Sequence, residues 1–234
     1  PIIESSVGLV GVGIFAIAQK FPSLVTSVFN FFGMSWQISL LEEYGKSNFV
    51  IFYNRICKIV AVGLCLIGTF IAVFSDLLVK LISTPDYYPA KIYIPLLCLS
   101  AIFTCIGYFV GGVFSVVKKS KYFFYSSVFG AAIAVFANWL LIPRLGLYGA
   151  ALSMVLSFFA IAVVRVIYAD KIVHINGGKF YASLFCVLFF SLTATMLFGS
   201  LLINCLISLV LFGLFMLLNK DTIINNIRQL LLRF

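Results

Sequence analysis

Residues 92–116, IYIPLLCLSAIFTCIGYFVGGVFSV, pass 25 positions without one charged side chain. That exceeds the buried helix of an ordinary soluble domain and suffices for the ~20 apolar residues that carry an α-helix across a bilayer. Comparable runs lie on both sides of it. Spans can be read at Val7–Phe32, Ile56–Leu78, Ile92–Val116, Phe123–Ile142, Gly146–Ile167, Tyr181–Phe198 and Leu201–Leu218. Lipid offers no partner to a backbone amide, so each span must satisfy its own polar groups as a helix. Composition agrees. The 234 residues are 63% hydrophobic and 10% charged, whereas soluble domains are about half apolar and a quarter charged. The reading is an all-α polytopic integral membrane protein.

The net charge of +9 sits mostly between the apolar runs. Lys46, Arg55, Lys58, Lys118, Lys119, Lys121, Arg165, Lys171, Lys179, Lys220, Arg228 and Arg233 fall on one side of the alternating connections. Lys80, Lys91 and Arg144 fall on the other, and Lys20 is inside a span. The asymmetry predicts that the cation-rich connections and the C-terminus are cytoplasmic, with Pro1 opposite. A nucleic-acid partner is excluded because no basic face or aromatic-interleaved patch exists. The cysteines, 57, 65, 98, 105, 186 and 205, form no CxxC pair, and His174 is in a connection. They read as small hydrophobes among helices, with no metal site. Ser39–Arg55 reads as an interfacial loop, and 219–234, DTIINNIRQLLLRF preceded by Asn219 and Lys220, as an amphipathic surface tail. Because the chain opens on Pro1 rather than Met, it is expected to be the C-terminal part of a longer protein.

Small residues at helical spacing predict close helix contacts. They are Gly107 and Gly111; Ser127, Ala131, Ala134 and Asn138; and Gly149, Ser153 and Ser157. Asn138 has a second reading, since a buried amide needs a partner or a polar cavity.

Lys20 is the intramembrane cation. Counted from Val7 it lies about 20 Å into the span at 1.5 Å per residue, where a charge costs at least ~2.5–3.5 kcal/mol. It either snorkels to a bilayer edge or faces a wet cavity. The depth favours the cavity, as does Pro22, which removes a backbone donor and is expected to kink the helix. The same stretch adds Ser23, Thr26, Ser27, Asn30, Ser35 and Gln37. No Asp, Glu or His lies deep in a span, so neither a carboxylate relay nor acid–base catalysis has its residues here. Cations and amides suit an anionic passenger. The chain is not expected to be an enzyme.

Three stretches carry a resemblance. VGIFAIAQKFPSLV (12–25), followed by Phe29-Asn30 and the tryptophan of GMSWQ (33–37), resembles the pattern GIY-x-x-A-x-K-x-x-x-(L/I) of polysaccharide flippases. Phe15 stands where that pattern has tyrosine. IPRLGLYGAALSMVLS (142–157) resembles their P-x-x-G-x-x-GAA junction, and KKSKYFFYSSVFGAAIAVFANWLLIP (118–143) fits between. These are the O-antigen and capsule flippases of the multidrug/oligosaccharidyl-lipid/polysaccharide exporter superfamily. The resemblance implies that 1–167 supply five helices of a C-terminal transporter lobe, 168–218 two accessory helices and 219–234 the tail, with an N-terminal lobe as partner. It implies a bacterial inner-membrane protein moving undecaprenyl-diphosphate-linked oligosaccharide units for surface polysaccharide and lipopolysaccharide, without a cofactor. Lys20 would meet the diphosphate. Arg55 and Lys58 would stand at the entrance of the second span, with Arg165 a further entrance cation. Asn30, Gln37 and Asn138 would offer amides. The competing readings are a cation-coupled multidrug exporter of the same superfamily and a membrane enzyme of polysaccharide assembly.

Overall fold

The computed structural model describes residues 2–198, 200–220 and 222–223. Among them the chain forms eight α-helices and no strand. They are α1 (Ile2–Glu43), α2 (Phe49–Val73), α3 (Ser75–Ile82), α4 (Ile94–Val116), α5 (Lys121–Leu145), α6 (Leu147–Val173), α7 (Gly178–Leu197) and α8 (Leu201–Leu218). A 3-10 segment, Pro85–Ile92, joins α3 to α4. All but α3 are long and apolar enough to cross a membrane. The all-α, seven-span reading holds.

Helices alternate between two ends of the bundle. At the α3 end, Tyr87 packs on Gly13 of α1, and Tyr93 meets Tyr148 at 4.8 Å between ring centroids. The turns before α2, α5 and α7 form the opposite, cation-rich end. The central helix is α4, packed by α1, α2, α6 and α7. It can be central because its glycines admit neighbours. Gly107 lies against Ala162 of α6, and Gly112 against Trp36 and Leu40 of α1. The accessory pair is layered outside, α7 on α2 and α8 on both.

The expected GxxxG contact and the Gly149–Ser153–Ser157 stripe are buried as read. A Cβ on Gly149 would come 2.2 Å from the Leu141 carbonyl oxygen. Gly149→Ala is therefore expected to destabilise the bundle by about 1–3 kcal/mol, seen as a lower Tm of the full-length protein in detergent. The α5 stripe needs correcting. The seam with α6 is made by Ser126, Gly130 and Ala137, with Ser157 Oγ donating to the Gly130 carbonyl at 2.9 Å. Ser127 and Ala131 are exposed and Asn138 half-buried beside that seam. Gly130 decides the register, because the Ile161 side chain occupies the place of its missing Cβ.

Three boundaries also differ. The first span does not stop at Phe32, because Trp36 and Leu40 continue the buried face of α1 and the helix runs on to Glu43. The expected loop Ser39–Arg55 shrinks to 44–48, since Phe49 and Tyr53 are core residues of α2. The second span ends at Val73, not Leu78, and α3 follows as a separate helix. The tail expected over 219–234, with Arg228 and Arg233, falls outside the described residues from 224 onward.

The α3 turn is pinned by ions. Asp76 accepts from Lys80 at 2.6 Å and also pairs with Lys91 of the 3-10 segment. Lys80 and Lys91 hold its carboxyl below the usual range. A depressed carboxylate contributes its full stability above the unfolded value of about 3.9 and loses it as pH falls through the folded value. The Tm difference between wild type and Asp76→Asn is therefore expected at pH 7 and should shrink progressively as the pH falls below the unfolded carboxylate value of about 3.9.

Candidate functional site

The candidate site is one flank of α1. Phe15, Ala18, Phe21, Val25, Phe29, Trp36 and Leu40 are its buried face. Away from that face the surface divides in two. Gln19, Ser23, Thr26, Asn30 and Gln37 follow one another at helical spacing, with Lys20 and Ser27 beside them. Leu24 and Phe31 share the stripe of Lys20 and Ser27 at the edge of this series, Val28 and Phe32 lie beyond it, and all four apolar side chains are exposed. Gln19 Nε2 reaches Met154 Sδ of α6 at 3.3 Å, and Gln37 Nε2 donates to the Tyr108 hydroxyl of α4 at 3.1 Å. Those contacts orient the polar flank toward the α4–α6 side. Ser23 and Thr26 hydroxyls donate to the carbonyls of Lys20 and Ser23, at 2.5 and 2.9 Å.

Lys20 is exposed at the outer edge of this flank, on the stripe it shares with Leu24, Ser27 and Phe31. Its level follows from Gln19, which meets Met154, the eighth residue of α6. Seven residues at 1.5 Å put it about 10 Å below the start of α6. That is shallower than the 20 Å counted from Val7, because the first turns of α1 rise beside the 3-10 segment rather than within the bundle. Lys20 therefore belongs to the α3-side half. Pro22 is inside α1, and the non-helical backbone of that helix lies at Gly8 (φ 75°) instead.

The other cations are not gathered around Lys20. Arg55 is buried in the second turn of α2. Lys58 lies over the Phe180 ring, 5.8 Å from its centroid, and its stem covers Gly177, so it is turned to α7. Arg165 bridges α6 to α5. Its Nε donates to Ser126 Oγ at 3.0 Å and a terminal nitrogen to Ser127 Oγ at 3.3 Å, with the guanidinium 4.9 Å from the Phe123 ring centroid. Asn30 is exposed on the flank, Gln37 half-buried at its far end, and Asn138 half-buried on α5.

Two residues escape the sequence reading. Gln19 extends the polar series by one helical step, a spacing that counting from Ser23 backward would have found. Asn54 fixes the α6–α7 connection to α2 from both amide atoms. Its Nδ2 donates to the His174 carbonyl at 3.0 Å, and its Oδ1 accepts from the Asn176 amide at 2.7 Å. The partners are 120 and 122 positions away, so no local pattern announces them.

Aromatic packing holds the flank in place. Trp36 stacks on Phe109 of α4 with centroids 4.2 Å apart, and its Nε1 donates to the Phe109 carbonyl at 3.2 Å. Tyr53 of α2 donates its hydroxyl to the next carbonyl, Val110, at 3.0 Å. Three helices thus meet at one turn of α4. The arrangement can present a rigid polar surface with one cation at its α3-side end, and among the described residues no cluster suited to a metal accompanies it.

The family model described as MatE matches residues 2–140, which takes in α1 to α4 and most of α5. No curated relative and no solved structure matches the chain.

Proposed function

The chain belongs to the MatE family of the multidrug/oligosaccharidyl-lipid/polysaccharide exporter superfamily, whose members are membrane transporters, and from that premise we propose that the polar flank of α1 is one wall of a flippase's transport path. The passenger in this reading is an undecaprenyl-diphosphate-linked oligosaccharide, and the second wall is the N-terminal lobe. Lys20 meets the diphosphate in the α3-side half of the path. The hydroxyls and amides of Ser23, Ser27, Asn30 and Gln37 meet sugar. The prenyl tail stays in lipid, and the lobes rock to alternate access. The cation-rich end and the C-terminus are cytoplasmic by the positive-inside rule, and the membrane is the bacterial inner membrane.

The observation that supports this most is an exposed lysine within a membrane-spanning helix, flanked by hydroxyls and amides and by no acid. Among the described residues, Asp and Glu fall at helix ends or in connections. That suits an anionic passenger, whereas a cation-coupled drug exporter would draw its intramembrane carboxylate from the N-terminal lobe. Proteoliposomes of the full-length protein test the reading. Translocation of a lipid-diphosphate oligosaccharide, with no transport of cationic dyes under an ion gradient, is the expected result. Dye transport without oligosaccharide translocation would select the drug exporter.

A further inference from the structure

A groove of about 550 Å³ opens on the outer surface between α2 and α8, walled by Leu66, Ile67, Phe70, Leu209 and Phe212. Ser208, on the same wall, spends its hydroxyl on Ser191 at 2.6 Å. A smaller cavity, about 140 Å³, adjoins it at the α3 end and holds Ser75, Asp76, Lys91, Thr195 and Asn204. Val73 lines both. Along α8, Asn204 of the small cavity is followed directly by Cys205 of the groove. The two form one slot, polar at the membrane surface and hydrocarbon-walled below.

The polar end lacks a partner. Asn204 is 6% exposed. Its Nδ2 donates to the Phe198 carbonyl at 2.8 Å, while its buried Oδ1 accepts from nothing among the described residues. A buried acceptor left so calls for a donor from outside the chain. Beside it Asp76 is paired with two lysines, Lys80 and Lys91, so the cluster carries one surplus positive charge. An occupant must bring hydrocarbon, an anion and a hydrogen-bond donor, in that order from the membrane interior outward.

We propose that the slot binds a glycerophospholipid of the α3-side leaflet. One acyl chain fills the groove, the phosphate faces Lys91, and a donor-bearing headgroup, ethanolamine or glycerol, reaches Asn204 Oδ1. Choline carries the same phosphate but no N–H or O–H, so it cannot satisfy the amide. The inference concerns the α2–α8 face and is independent of the passenger on the α1 flank.

Native mass spectrometry of the delipidated full-length protein tests it, with phosphatidylethanolamine, phosphatidylglycerol and phosphatidylcholine of matched chains. One of the first two should be retained over phosphatidylcholine by roughly three- to tenfold, the worth of one net hydrogen bond. The better-retained lipid identifies the donor as ammonium or hydroxyl. Asn204→Leu should abolish the preference, and Cys205→Phe, which fills the groove, should lower retention of all three. Equal retention of phosphatidylcholine by the wild-type protein overturns the proposal by itself, whether or not a variant folds. So does a preference unchanged in Asn204→Leu, or retention unchanged in Cys205→Phe.

Discussion

Lys20→Ala is expected to lower transport of the lipid-linked oligosaccharide about 10- to 100-fold, with the protein still present at wild-type level. A hydrogen bond to a charged group contributes about 1.5–3 kcal/mol, which converts to that range. Amount should not change, because Lys20 is exposed and pairs with no acid. Removing a charge from a spanning helix relieves insertion cost rather than adding to it. Lys20→Arg should retain most activity, since it keeps the charge and offers a bidentate fork to phosphate. Lys20→Gln should behave as alanine does. Surface polysaccharide in cells and translocation in proteoliposomes both read this out. Wild-type transport by Lys20→Ala would remove the lysine from the path.

Trp36→Ala is expected to give the largest loss of stability, about 3–5 kcal/mol for a buried tryptophan truncated in a core. For a chain of this size that is a fall in Tm on the order of 10 °C. The ring is 2% exposed and stacks on Phe109 while also meeting Phe52 and Tyr53, at 5.8 and 5.9 Å between centroids. Its loss would leave a void at the turn where α1, α2 and α4 converge. Trp36→Phe keeps the ring contacts and gives up the Nε1 bond to Phe109, so its cost should be about 0.5–1.5 kcal/mol. A Trp36→Ala protein with unchanged Tm in detergent would mean that α1 is not held at this point.

The number of helices was legible because crossing a bilayer imposes length and apolar character on every span. Helix ends were less so. The polar residues Ser35 and Gln37 broke the apolar run after Phe32, although Trp36 and Leu40 kept the buried face of α1 in register for another three turns. Hydropathy reports the whole circumference of a helix, whereas packing depends on one face. The same distinction explains α5. Ser127, Ala131, Ala134 and Asn138 form as regular a small-residue stripe as Ser126, Gly130 and Ala137, and spacing cannot choose between adjacent stripes. The choice is made by Ile161 of α6, which fits only against a glycine. Lys20 was recognisable as an intramembrane cation, but its depth required Met154 as a marker. Arg55 and Lys58 were placed at an entrance by counting cations near a span end. Phe180, the ring beneath Lys58, comes from an accessory helix more than a hundred residues on, and the burial of Arg55 in α2 leaves no mark in its local sequence.

Transport along α1 requires that the flank carrying Lys20, Ser23, Ser27 and Asn30 is wet and that the face of Val28 and Phe32 is not. Single cysteines at positions 20, 23, 27 and 30, and at 28 and 32, measure it directly in full-length protein whose native cysteines are replaced. The membrane-impermeant maleimide label should react at 20, 23, 27 and 30 and leave 28 and 32 unmodified. Equal labelling of the two sets, or protection of 20, 23, 27 and 30, would contradict the account.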